Sequence, residues 1–213
     1  MKDIILFPFN GNAMEAVSVI EDINRMRGQW NILGFVDDDE NKLGLTAAGY
    51  KVIGGREQLT SHSDAFVLAV PGRPETFVQR RSIIDSLGLN KERYARVVHP
   101  TACIGAACTL GYNVLIQPNV VLTFDVTLGN HVIILPNSVI SHGTTIGDYT
   151  LVGSNVSLSG NSSVGRNCYI GTGSKVLQNV AIGEKTLVGI GAVVIRDVGP
   201  RSKVAGNPAR ELK

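Results

Sequence analysis

From Ile104 onward, every sixth residue is aliphatic: Ile104, Leu110, Ile116, Leu122, Leu128, Ile134, Ile140, Ile146, Val152, Leu158, Val164, Ile170, Val176, Ile182, Val188 and Val194. Around this anchor the hexad is equally regular. Nine of the sixteen second positions are glycine, and every fifth position is small or valine, as at Cys108, Val114, Ser138, Thr150, Cys168 and Ala192. A six-residue period of this kind marks a parallel β-helix in which each hexad makes one flat side and three hexads close a triangular coil. Sixteen hexads give about five coils, a prism on the order of 25 Å long at the ~4.8 Å spacing of neighbouring strands.

The fourth hexad position is asparagine, aspartate or glycine in twelve cases of sixteen, among them Asn113, Asn119, Asp125, Asn137, Gly143, Asn155, Asn161 and Gly173. These residue types best tolerate a left-handed backbone, so the corners of the prism belong there. First and fifth positions then point inward and third positions outward. His142, in "VISHGTTIGDY", holds a third position and is expected on the outer surface beside a corner, free for chemistry. His131 holds a corner, where histidine is enriched among non-glycine residues, and reads as structural. His99, before a proline at the start of the prism, reads equally as a cap or an interdomain contact.

Upstream, the pattern alternates between strand and helix: "DIILFPF", an amphipathic "AMEAVSVIEDINRM", "NILGFVDDD", "YKVIG", "AFVLAV", then "ETFVQRRSIIDSLG". Such alternation predicts a small parallel sheet with covering helices. The expected fold is a Rossmann-like α/β domain over residues 1–97, followed by a left-handed β-helix with a C-terminal cap over 98–213. Ligands of open α/β sheets bind outside the carboxyl ends of the strands, which here read "PFNGNA", "VDDD" and "VPGRPE". A nucleotide fits there, with Gly11 letting the backbone approach phosphate and Asp37 or Asp38 accepting from a ribose hydroxyl or a base edge. The full G-x-G-x-x-G pattern is absent, which disfavours a dinucleotide.

Composition narrows the classes. The chain has 213 residues, 44% of them hydrophobic, and a formal charge of +2. No apolar run is long enough to span a membrane, and the first ten residues lack the basic flank and cleavage site of a signal peptide, so a cytoplasmic protein is expected. Three cysteines, two at inward positions, argue for packing rather than disulfides. Charge is segregated: residues 98–163 carry no lysine or arginine, whereas eight bases follow, Arg166, Lys175, Lys185, Arg196, Arg201, Lys203, Arg210 and Lys213, against three acids. That end suits phosphate groups. With Tyr169 alone for stacking, nucleic acid is not an expected partner. Metal is not expected either, because His131 and His142 occupy different hexad positions and do not converge.

The order of a small α/β domain, a bridging "HPTACIG", the uninterrupted prism, the histidine of "VISHGTTIGDY" and a closing "VAGNPAREL" resembles the sugar O/N-acyltransferases of the sialic acid O-acetyltransferase and bacillosamine N-acetyltransferase type. The resemblance implies a homotrimer that uses acetyl-CoA to acetylate an amino or hydroxyl group of a sugar, often nucleotide-linked. His142 matches the general base. Gly160, one coil above, matches the amide that meets the acetyl carbonyl, and further CoA contacts fall near Leu151, Thr172 and Ile190. The substrate loop matches Asn10, Gly11 and Asn12, and the paired acids match Asp37 and Asp38. Two positions depart from the pattern: Asn12 stands where a second histidine is usual, and Gly143 where an acid orients the base. Coil arithmetic offers a replacement for the latter, since Asp125 stacks beneath residue 143. An amine or hydroxyl attacking a thioester needs a base and an oxyanion donor, which His142 and the Gly160 N–H supply, and no nucleophile arrangement calls for a covalent intermediate. The amino group is the favoured acceptor. The alternatives are O-acetylation and a non-catalytic sugar-nucleotide-binding or scaffold protein.

Overall fold

A computed structural model describes residues 1–212; Lys213, the last of the bases counted above, lies outside the described residues. The first domain is a five-stranded sheet built from β1 (Lys2–Phe7), β2 (Trp30–Val36), β3 (Thr46–Ala47), β4 (Tyr50–Gly54) and β5 (Phe66–Ala69), in the order β3-β4-β2-β1-β5. All pairs are parallel except β3 with β4. Helix α1 (Gly11–Arg27) buries Ala13, Ala16, Val17, Ile20 and Ile23. Its start is set by Asn10, whose Oδ1 accepts from the Ala13 N–H, and its end by left-handed Gly28. Two short helices, α2 (Glu57–Ser61) and α3 (Arg80–Asp85), complete the domain.

Strand β6 (Arg96–Val98) pairs with Val114–Ile116 and opens the prism. All fifteen fourth positions from Ala107 to Gly191 have positive φ, which confirms the corners. Among first and fifth positions only Ile104, Leu110 and Cys108, at the lower end, and Val198, at the upper end, escape full burial. The strands form three sheets, one per side of the triangle.

Which side the first domain covers is decided by the sixth positions, whose side chains point out of the flat faces. Every third hexad places a bulky apolar residue there: Leu115, Ile133, Leu151, Tyr169 and Leu187. Leu115, Ile133 and Leu151 join α1, β1 and β2 in one core and are buried, each contributing roughly 2 kcal/mol. The second face presents Thr109, Thr127, Thr145, Ser163 and Ala181, and the third Cys103, Val121, Val139, Ser157, Lys175 and Val193; neither is covered.

The corner beside the docked face carries the polar half of this contact. Asn113 Oδ1 accepts from the Ala69 N–H at 2.8 Å, while its Nδ2 donates to Ala69 O at 2.7 Å and to His131 Nδ1 at 2.9 Å. Asn167 Nδ2 donates to Val78 O. Arg80, fully buried, donates to Pro71 O, to His131 O at 2.7 Å and to Tyr149 O at 2.8 Å. His99 is the interdomain contact, with Nε2 2.8 Å from Asp22 Oδ2.

His131 is structural, as expected: it stacks on Tyr149 and meets Tyr94 and Tyr112 edge-on. Burial, reinforced by the Arg80 charge, pushes its imidazole down to about 4 from 6.5. The unfolded chain therefore binds a proton in the window from 6.5 down to 4 that the folded chain refuses, and stability falls as pH drops through it. The loss should reach about 2 kcal/mol at pH 5. Urea midpoints at pH 7 and pH 5 measure it, and His131→Asn, which tolerates the corner, should shrink the difference; an undiminished difference would assign it to other groups.

Candidate active site

His142 follows Val139–Ile140 of the third face and precedes Thr145–Ile146 of the second, so it stands on the edge opposite the docked face. Its side chain is exposed. The ring leans toward the coil above: a Cβ built on Gly160 would lie 2.5 Å from both Cε1 and Nε2. Only glycine leaves room for the imidazole over that backbone. The Gly160 N–H finds no hydrogen-bond acceptor among the described residues, whereas Gly160 O accepts from the Asn179 N–H. A basic nitrogen thus abuts a free backbone donor, the pair that acyl transfer requires.

The orienting group expected beneath is not engaged. Asp125 does stack one coil below Gly143, whose N–H bonds Phe124 O, and both are left-handed corners. Yet no hydrogen bond joins Asp125 to His142 among the described residues, because the imidazole tips upward to Gly160 while the carboxylate stands below. An acid at 143 would have to displace the Asn161 side chain. A side chain there would run into Asn161 Oδ1, so the neutral amide fills the room beside the base.

Of the expected cofactor residues, Thr172 and Ile190 are third positions stacked on the edge between the docked and third faces, both exposed. Leu151 is elsewhere. It is 2% exposed, in the core beneath the first domain, and its N–H is bonded to Cys168 O, so it cannot share a groove with Gly160 in one chain.

At the strand ends, a cleft of about 510 Å³ runs past Asn10, Gly11, Asn12, Lys42, Gly72 and Arg73. Gly11 opens α1 with nothing within 4 Å of a Cβ position, so its place is open to a ligand. Asn12 and Asn10 face inward instead: Asn12 Nδ2 donates to Val70 O and Gly72 O, and Asn10 Nδ2 to Val70 O. They hold the loop after β5 with these amide nitrogens, while Asn12 Oδ1 has no hydrogen-bond partner among the described residues. A second cleft of about 530 Å³ is lined by Asp37, Asp38, Asp39, Glu40 and Glu57. Asp37 is 7% exposed and already accepts from the Phe9 N–H, the Asp39 N–H and Lys42 Nζ, which ties the β1 loop to β2. Asp38 is gripped by Arg56, Nε to Oδ1 at 3.0 Å and Nη2 to Oδ2 at 2.5 Å. These hydrogen bonds hold its carboxyl below the usual range. The partners Lys42, Arg56 and Arg80 carried no sequence signal, because each reaches across elements.

Residues 125–160 match the bacterial transferase hexapeptide (six repeats) family, and residues 16–75 match the PglD N-terminal domain. One matched stretch lies in the first domain and the other in the prism. No curated protein matches this chain. Among solved structures it superposes on PerB from Caulobacter crescentus, in complex with CoA and GDP-perosamine, with a TM-score of 0.85 at 23% identity, covering 100% of this chain and 98% of that one. The acetyltransferase domain of PglB from Neisseria gonorrhoeae gives 0.85 at 23%, and WeeI from Acinetobacter baumannii 0.82 at 24%, each with 100% of both chains covered. At these identities the likeness establishes the shared two-domain fold. Among the described residues, no group of three or more metal-ligating side chains converges, and no helix is long and apolar enough to cross a membrane.

Proposed function

We propose that the chain is an acetyl-CoA-dependent acetyltransferase acting on an amino group of a nucleotide-linked sugar. The observation that carries this reading is the His142 imidazole packed over Gly160, whose N–H has no acceptor among the described residues. The amine nitrogen attacks the thioester carbonyl, His142 takes its proton, the Gly160 N–H steadies the oxyanion, and the protonated base returns a proton to the departing thiolate as the C–S bond breaks. Relatives of the same fold solved with CoA and GDP-perosamine, or with acetyl coenzyme A, support the substrate classes. Lys42, Arg73 and the α1 N-terminus suit a diphosphate in the first cleft.

The same reading calls for a homotrimer. The acceptor cleft belongs to the domain on one face of the prism and His142 to the opposite edge, so one chain cannot bring them together. Exposed Phe124, Val139 and Leu177 near that edge are apolar surface of the kind a second copy covers. The test has two stages. Thiol release from acetyl-CoA with UDP-, GDP- and dTDP-linked amino sugars should exceed release with their hydroxyl counterparts; no release with any acceptor ends the proposal. Mixed trimers of inactive His142→Ala and inactive Lys42→Glu chains should then regain activity, each intact site drawing on two chains. Absence of such complementation would mean that each site is confined to one chain.

A further inference from the structure

At the top of the docked face lies a cleft of about 360 Å³ that the chemistry above leaves unused. Phe77, from the first domain, and Leu187, from the prism, give it an apolar floor, while Lys185, Arg201 and Lys203 stand on its rim with Glu75 as the one acid. That volume falls at the lower end of the ~300–1,000 Å³ typical of small-molecule pockets. The three cations are poorly neutralised. No carboxylate comes within 4 Å of Lys185 or Lys203 among the described residues, and Arg201 reaches Glu184 only at 4.0 Å, where Arg166 already holds that carboxylate at 2.6 Å. Glu75 is itself 3.7 Å from Arg73.

The backbone gives a second, independent reason to single out this place. Lys185 ends the corner column of Asn113, His131, Tyr149 and Asn167, and all five residues have positive φ. Each of the other four recovers the cost of that conformation by bonding to or packing on the first domain. Lys185 makes no such hydrogen bond among the described residues, yet a left-handed lysine costs about 1–2 kcal/mol that the asparagine used elsewhere in the column largely avoids. Arg201, on the same rim, is also left-handed with φ 60°. Two strained corners both carry cations, and both turn toward one cleft with an aromatic floor.

We propose that this cleft binds a phosphate-bearing nucleotide, with its ring on the Phe77–Leu187 floor and its phosphate among Lys185, Arg201 and Lys203. Ammonium and guanidinium groups make strong charge-assisted bonds to phosphate oxygens, and the cleft combines them with an apolar platform that inorganic phosphate does not need. Its wall, residues 74–78, continues the loop 71–73 that borders the acceptor cleft, so an occupant would also hold that loop in place. The bound nucleotide is separate from the acyl donor, whose expected contacts at Gly160, Thr172 and Ile190 lie on the two other edges of the prism.

Isothermal titration calorimetry of the intact protein with CoA, dephospho-CoA, adenosine 3′,5′-bisphosphate and GDP tests this, and needs no turnover. Lys185→Asn with Lys203→Gln removes two charges while keeping the corner and disturbing no hydrogen bond. A tenfold or larger rise in Kd for CoA and the bisphosphate, with dephospho-CoA unmoved, would place the end of CoA here and overturn the proposal. A comparable rise for GDP, with CoA unmoved, assigns the cleft to a separate nucleotide. Equal affinities of the wild-type and double-variant proteins for all four probes would overturn the proposal.

Discussion

Alanine in place of His142 should lower kcat for acetyl transfer by about 10²–10⁴-fold, the usual contribution of a positioned general base, with little change in KM for acetyl-CoA. The imidazole is exposed and makes no side-chain hydrogen bond within the chain among the described residues, so its removal takes away a proton acceptor without disturbing the prism. Gly160→Ala is the companion measurement. A methyl 2.5 Å from Cε1 and Nε2 must displace the ring, so kcat should fall although His142 is still present. Asp125→Asn should leave the pH profile of kcat/KM unchanged, because the carboxylate lies below a ring that leans upward. An alanine variant at 142 with near-normal kcat would remove the histidine from the mechanism; a shifted acidic limb in Asp125→Asn would restore the carboxylate as its orienting partner.

Arg80→Met should destabilise the protein by about 2–4 kcal/mol. Methionine replaces much of the aliphatic stem but leaves Pro71 O, His131 O and Tyr149 O without a donor, at about 1–3 kcal/mol for each buried orphan. Opposing this is relief from burying a guanidinium that pairs with no carboxylate among the described residues and that burial pushes down to about 9. Three lost bonds should outweigh that relief. The loss should be local as well: Arg80 joins the loop after β5 to the corner of the prism, so amide exchange in residues 71–78 should accelerate more than in α1. Chemical denaturation gives the first quantity and exchange mass spectrometry the second. An unfolding midpoint at or above that of the wild type would show that desolvation dominates.

Arg80 and the corners mark where sequence reading stops. The hexad register, the left-handed corners, the inward Cys168 and the placing of Gly160 one coil above His142 all follow from one-dimensional periodicity. Each is a demand on a single residue's backbone or volume, repeated every six residues, and a period of eighteen makes stacking a matter of counting. Even the docked face was legible, in the apolar sixth positions Leu115, Ile133, Leu151, Tyr169 and Leu187, although the hexad alone did not draw attention to it. What counting cannot supply is the choice of partner for a polar side chain. Asp37 and Asp38 look like free acids in "VDDD", but one is consumed by the Phe9 N–H and Lys42 and the other by Arg56. Leu151 stacks in register with the other coils, but the first domain covers it. Asn12 Nδ2 binds Val70 O and Gly72 O, 58 and 60 residues away in the chain. Asn113 binds Ala69 across 44 residues and Arg80 reaches Tyr149 across 69. These contacts are determined by how two domains with unrelated periods pack, and by the rule that buried donors and acceptors must find each other wherever that packing leaves them.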